Sequence, residues 1–205
     1  MIKAQHNIFI DTFFRWYVIW KMKRSFSSFT IEGEVENTSD AILLVCNHVS
    51  WWDGIWALYV NQQLFQRKFF FMMLEEQLNK NWFFKYTGGF PVRKSSRSLV
   101  ESLNYASELL QNPGNLVLMF PQGKIQSMHR NTFVFEKGIE RIQESDQGNA
   151  KVIFQVNLVD YLSEVKPAVH MYIKAHQGNR KISELETAYN LFYNECLDKQ
   201  AQKES

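Results

Sequence analysis

The chain has 205 residues, room for one domain with a substantial core and, at most, a small appendage. Its net charge of +2 argues against a polyanion-binding protein, so no nucleic-acid partner is expected. Two distant cysteines, Cys46 and Cys196, form neither a disulfide framework nor a metal-like spacing, which favours a reducing compartment and no metal site.

The first 30 residues set themselves apart by charge and by aromatic content. Lys3, Arg15, Lys21, Lys23 and Arg24 stand there against Asp11 alone. Phe9, Phe13, Phe14, Trp16, Tyr17 and Trp20 crowd residues 8–20. Residues 7–24 read as a helix with a wide apolar face and a basic C-terminal end. The apolar stretch is too short to span a bilayer, and Asp11 and Arg15 interrupt it. Its positive charges follow the apolar part, unlike those of a signal peptide. Two roles fit. The helix docks on the core, or it lies in a membrane interface with Phe13, Trp16, Tyr17 and Trp20 at headgroup depth and Lys21, Lys23 and Arg24 toward anionic lipid. The two roles are compatible. Residues 1–30 are accordingly set apart from a body spanning 31–205.

After a short strand in "SFSSFTIEGEVEN", the run "AILLVCN" (41–47) has the length and branching of a buried strand. "WDGIWALYVNQQLF" reads as an amphipathic helix with Asp53 at its N-cap. "RKFFFMM" (67–73) is a second buried strand. "LEEQLNKNWFFKYTGG" reads as one helix ended by Gly88-Gly89. "FPVRK" is extended. A helix then starts at its serines and places Leu99, Leu103, Ala106 and Leu110 on one face, with Pro113-Gly114 after it. "NLVLMFPQG" is a third buried strand ending in a turn. A polar loop and a short helix follow. "AKVIFQVNLVDY" and "AVHMYIKAH" are late strands. The last helix, 182–200, carries Leu185, Tyr189, Phe192 and Cys196 on one face, and the residues from Gln200 onward are expected to fray. Alternating strands and helices predict an α/β fold: a mixed, mostly parallel sheet flanked by helices.

His48 follows the first buried strand, and Asp53 opens the next helix. On a single helix, five positions would place them about 140° apart. A strand-to-helix turn can instead fold them together, so that Asp53 holds one ring nitrogen and leaves the other as a base. Taken alone, the spacing is a weak signal and favours a turn histidine and a helix cap. Ligand sites of α/β sheets lie beyond the carboxyl ends of the strands. "GGFPVRK" and "MFPQG" should emerge at that same edge, where Arg93 could clamp a phosphate. Taken singly, Arg93 reads as a surface ion pair and Pro121 and Gly123 as turn formers. No GxSxG nucleophile elbow is present.

"NHVSWWD", "GGFPVRK", "FPQG" and "VIFQV", in this order, resemble the glycerolipid acyltransferase family, of the lysophosphatidic-acid (1-acylglycerol-3-phosphate) acyltransferase type. The family pattern is NHxxxxD, a glycine followed by apolar residues and arginine, FPEG-T-R-S, and an apolar strand often containing proline. "FEKG" (135–138) resembles the segment after the third motif. The similarity runs from about residue 30 to residue 175.

The resemblance implies acyl transfer from acyl-CoA or acyl carrier protein to a hydroxyl of a lysophospholipid-like acceptor, with 1-acylglycerol-3-phosphate the default. His48 would be the general base and Asp53 its anchor. Gly89, Arg93, Phe120, Pro121, Gln122, Gly123 and Lys124 would form the acceptor site, Arg93 on the phosphate. No cofactor beyond the thioester co-substrate, no metal and no covalent enzyme intermediate are implied. The basic aromatic helix resembles the family's membrane-docking helix, and so places the protein peripherally on the cytoplasmic side of a membrane. The chain also departs from the pattern. Gln122 replaces glutamate, Lys124 and Ile125 stand where threonine and arginine are expected, and Gln155 stands where proline is common. Two alternatives therefore remain. One is an acceptor without the usual phosphate, such as an aminolipid or a glycosylated or hydroxylated pigment. The other is a non-catalytic lipid-binding member of the fold.

Overall fold

The computed structural model describes residues 3–36, 38–93, 96–145 and 150–204. Seven strands form one sheet: β1 (Ser28–Glu32), β2 (Ile42–Cys46), β3 (Lys68–Leu74), β4 (Gly89–Val92), β5 (Asn115–Met119), β6 (Lys151–Asp160) and β7 (Ala168–Ala175). Their order is β1-β7-β6-β2-β5-β3-β4. Only the β6–β7 pair is antiparallel, so β6, β2, β5, β3 and β4 run together and β7 and β1 run against them. The fold is the expected α/β architecture with a mostly parallel sheet.

The central strands β2 and β5 are buried along their whole length, which is why they read as continuous apolar runs. Leu43, Val45, Val117 and Phe154 face a core shared with α4 (Ser96–Leu110), α5 (Gly138–Ser145) and α6 (Ile182–Ala201). Ile42, Leu44, Cys46, Leu118 and Ile153 face the opposite core, closed by α1 (Ile8–Ser25) and α2 (Asp53–Val60). A π-helical turn, Asn61–Phe65, extends α2.

Three sequence expectations need correction. The stretch read as one helix before Gly88 is two: α3 (Glu75–Lys80) and a 3₁₀ turn, Trp82–Tyr86. Asn81 leaves helical geometry and its side chain donates to the Gln77 carbonyl, which closes α3. The tighter turn lets Phe83 and Phe84 pack against Phe14 of α1. Gly88, at φ +96°, then passes so close to β3 that a Cβ would lie 1.9 Å from the Phe69 carbonyl oxygen. Leu99 is exposed, whereas Leu103, Ala106 and Leu110 are buried with Tyr105. The inward face of α4 therefore begins one turn later than the apolar spacing suggests and takes in Tyr105. Finally, the C-terminal end is tied down rather than frayed. Gln200 is buried, accepts a hydrogen bond from Tyr172 Oη at 2.8 Å and donates to Asp160, and Lys203 pairs with Glu32 at 2.7 Å. The described residues contain no helix long and apolar enough to cross a membrane.

Candidate active site

β2 ends at Cys46, and the chain turns through Asn47 and His48 before α2 begins at Asp53. That turn folds the histidine and the aspartate together. His48 Nδ1 lies 3.0 Å from Asp53 Oδ2. The same oxygen accepts the Val49 and Ser50 backbone N–H groups, each at 2.7 Å. Asp53 is thus no ordinary cap. Its carboxylate reaches back to the turn that precedes it, and no side chain caps the first N–H groups of α2. An oxygen that already receives two N–H donors takes the imidazole as a third donor, which puts the proton on Nδ1 and leaves the Nε2 lone pair free.

Burial pushes the Asp53 carboxyl above its ordinary range, while the His48 and backbone hydrogen bonds pull it back. The His48 ring is part-exposed and stacks on Phe120, with centroids 4.1 Å apart and planes 12° from parallel. Cys46, directly behind the dyad, is a free buried thiol whose pKa is driven up by burial and by the Asp53 charge. It is held as the neutral thiol, which makes it a poor nucleophile.

The loop after β5 closes over this turn. Gln122 is buried, and its Oε1 accepts the His48 backbone N–H at 2.9 Å. That bond fixes which way the amide faces and leaves Nε2 buried without a partner among the described residues. The Pro121 carbonyl accepts the Glu136 N–H, and the His48 carbonyl accepts the Gln126 N–H. Gly123 sits at φ +64° in the turn itself. Lys124 and Ile125 are exposed beyond it.

Arg93 leaves the end of β4 at the same edge of the sheet. Two strands, β5 and β3, separate β4 from β2, a lateral distance of about 14 Å at the usual strand spacing. Its guanidinium holds the Glu75 carboxylate through two contacts, Nε to Oε2 and Nη2 to Oε1, the latter 2.8 Å. Gly89 stands at the other end of β4 and is buried. A Cβ there would approach the Phe84 carbonyl oxygen to 2.7 Å, so close backbone packing explains this glycine. The fold therefore gathers His48, Asp53, Phe120, Pro121, Gln122 and Gly123, sets Arg93 across a gap, and leaves Gly89 back in the sheet. Lys94, the last residue of the "GGFPVRK" stretch, lies outside the described residues.

The model of the Acyltransferase family matches residues 28–153, more than half of the chain. The chain belongs to the acyltransferase family. No curated protein matches it.

Within this acyltransferase, sequence reasoning missed a buried amide layer behind the dyad. Asn157 of β6 and Asn47 exchange two hydrogen bonds: Asn47 Nδ2 to the Asn157 carbonyl (3.0 Å) and Asn157 N–H to Asn47 Oδ1 (2.8 Å). The Asn157 Nδ2 group contacts Cys46 Sγ at 3.2 Å and reaches Asp53 Oδ1 at 3.5 Å, and Gln155 Nε2 donates to Asn157 Oδ1. The available signal was Gln155 and Asn157 at strand period inside an otherwise apolar run. Glu75 was missed as well, because only the β3–β4 register brings it to Arg93.

α1 serves the core with one face and leaves the other open. Val18 and Met22 are buried, and Tyr17 and Lys21 are half-buried. Phe9, Phe13, Trp16 and Trp20 are exposed, as are Lys23 and Arg24. The Arg24 guanidinium lies over the Trp20 ring at 5.6 Å.

Proposed function

We propose that this acyltransferase moves a fatty acyl group from acyl-CoA or acyl carrier protein to a hydroxyl of a lysophospholipid-like acceptor, 1-acylglycerol-3-phosphate in the first instance. His48 Nε2 takes the hydroxyl proton as the oxygen attacks the thioester carbonyl. The tetrahedral adduct expels the thiolate, which recovers the proton from the imidazolium. Asp53 keeps Nδ1 protonated and balances the transient positive charge. General-base assistance of this kind contributes about 10²–10⁴-fold. The single observation that carries the reading is the 3.0 Å contact of His48 Nδ1 with Asp53 at the carboxyl edge of a parallel sheet.

Arg93, with Lys124, would receive the acceptor phosphate, and Phe120, Pro121, Gln122 and Gly123 would shape the acceptor site. The exposed aromatic and basic face of α1 suits a peripheral position on an anionic, cytoplasmic membrane surface, from which lipid substrates are within reach.

A second reading, an acceptor lacking the glycerophosphate group, is favoured by a specific observation. The Arg93 fork is already occupied by Glu75.

The test is mass spectrometry of lipids after incubating the purified protein with acyl-CoA and lysophosphatidic acid, beside His48→Ala. Phosphatidic acid made by wild type alone supports the first reading. Product from other hydroxylated acceptors only supports the second. Equal product from folded His48→Ala removes the dyad from the chemistry.

A further inference from the structure

The hairpin between β6 and β7 has properties that neither the sheet nor the active site requires. β6 runs parallel to β2, and Gln155 is level with Cys46 at the end of β2. β6 continues five residues beyond that level to Asp160, which pairs with Ala168. At the ordinary rise, the hairpin base stands about 16 Å past the end of β2, on the same side of the sheet as His48.

Its tip is apolar and open. Tyr161, Leu162 and Val165 are 58%, 51% and 95% exposed. Leu162 is also held at φ +44°, within a turn closed by the Glu164 N–H on the Tyr161 carbonyl (2.8 Å). Among the described residues, only Gln66 is another non-glycine at positive φ, and it ends the α2 extension with its N–H on the Asn61 carbonyl. Leu162 closes no helix. It gains little burial at a backbone conformation that glycine adopts without penalty and that costs a leucine about 1–2 kcal/mol or more. Stability therefore gives no reason for a leucine at this turn.

The hairpin base is continuous with the C-terminal end of α1. The Ser27 N–H donates to the Pro167 carbonyl at 2.9 Å, and Ser28 pairs in register with Ala168. The last turn of α1 carries Lys23 and Arg24, and the hairpin adds Lys166, also exposed. Phe26, which caps α1, packs edge-on against Trp52, whose neighbour Trp51 is exposed in the His48–Asp53 turn. Glu164 is also exposed at the tip and offsets Lys166, so the excess positive charge comes from Lys23 and Arg24 of α1. Apolar side chains beside such cations are the chemistry of an anionic lipid surface.

We propose that the β6–β7 hairpin is a second membrane anchor, inserting Leu162 and Val165 into the bilayer interface beside α1. It deepens, and rests on, the membrane reading of α1. The hairpin and the C-terminal end of α1 lie at the edge of the sheet that presents His48, so bilayer contact at both would turn the reaction site toward the lipid surface.

The test is flotation of the full-length protein with vesicles of phosphatidylcholine and phosphatidylglycerol. Leu162→Gly is the first variant, because it relieves the backbone instead of damaging it. Leu162→Gly/Val165→Ser is the second, and Phe13→Ser/Trp16→Ser is the α1 control. The hairpin variants are expected to bind vesicles about tenfold or more weakly, with a melting temperature equal to or above that of wild type. Wild-type vesicle affinity in the double hairpin variant, with loss only in the α1 control, overturns the hairpin anchor and leaves the α1 reading standing. Failure of wild type itself to float overturns both.

Discussion

Replacing Asp53 with asparagine isolates the charge of the dyad from its geometry, because the site dictates how the amide must sit. The Oδ2 position receives three donors: Val49 N–H, Ser50 N–H and His48 Nδ1. An amide nitrogen there would oppose two backbone N–H groups at 2.7 Å, so the asparagine oxygen takes that position and the imidazole keeps its tautomer. What disappears is the negative charge opposite the transient imidazolium, together with the long Asn157 Nδ2 contact to Oδ1 (3.5 Å). A hydrogen bond to a charged partner, or a charge pair near 4 Å at an intermediate dielectric, is worth about 2–4 kcal/mol. The turnover number should thus fall by about 30- to 1000-fold, with little change in the Michaelis constants. An inverted tautomer would cost about 10⁴-fold, as in hydrolase triads.

Stability should respond in the opposite sense. Burial raises the Asp53 pKa in the folded protein. A raised carboxylate pKa favours folding fully below the unfolded value, about 4, and that contribution is lost as pH rises through the folded pKa. Asparagine does not titrate. The melting temperature of Asp53→Asn relative to wild type should therefore be highest near neutral pH and decline on acidification toward pH 4. The assay pairs free-thiol release from acyl-CoA with thermal melts across that range. Wild-type turnover would refute the dyad, a 10⁴-fold loss would refute the donor-imposed orientation, and a melting difference that grows on acidification would refute the burial argument.

Glu75→Gln should free the Arg93 fork. If Arg93 receives phosphate, the Michaelis constant for a phosphate-bearing acceptor falls several-fold with turnover unchanged, while Arg93→Ala raises it and leaves that of the acyl donor alone. Unaltered acceptor constants in both variants would take Arg93 out of acceptor binding. Gln200→Leu strands the Tyr172 hydroxyl and Asp160, at a cost of about 1–3 kcal/mol, and should lower the melting temperature by several degrees. An unchanged melting curve would mean that the tail contributes nothing to the fold.

What the sequence disclosed follows from the range of the forces involved. Strand runs such as 41–47 and the alternation with helices are local patterns, and they suffice for the α/β architecture and its mostly parallel sheet. The His48–Asp53 turn is also local, since both residues lie within one strand-to-helix connection. Helix continuity over 74–89 is a weaker inference. Asn81 breaks the helix because Phe83 and Phe84 have partners on α1, a tertiary gain that outweighs propensity. Gln200 was misjudged for the same reason, because its partners lie 28 and 40 positions away. Glu75 needs the β3–β4 register to reach Arg93.

The strand β6 shows how one element joins features that the sequence presents separately. Its ten residues pair with β2 only as far as Gln155, so the part beyond β2 is free to serve the site edge. Asn157 falls in the first two residues of that part, where it bonds Asn47 and approaches Asp53. A purely apolar residue at 157 would keep both main-chain bonds to Asn47 but would remove the acceptor of Gln155 Nε2 and the donor that reaches Cys46 Sγ and Asp53 Oδ1, all buried, where unpaired polar atoms are costly. Three residues further on, Asp160 accepts from Gln200 and pins α6, and the hairpin then begins. The length of β6 thus ties the dyad, the C-terminal helix and the hairpin tip to one rigid ladder, so that a tip held at a lipid surface would hold His48 at a fixed height above it.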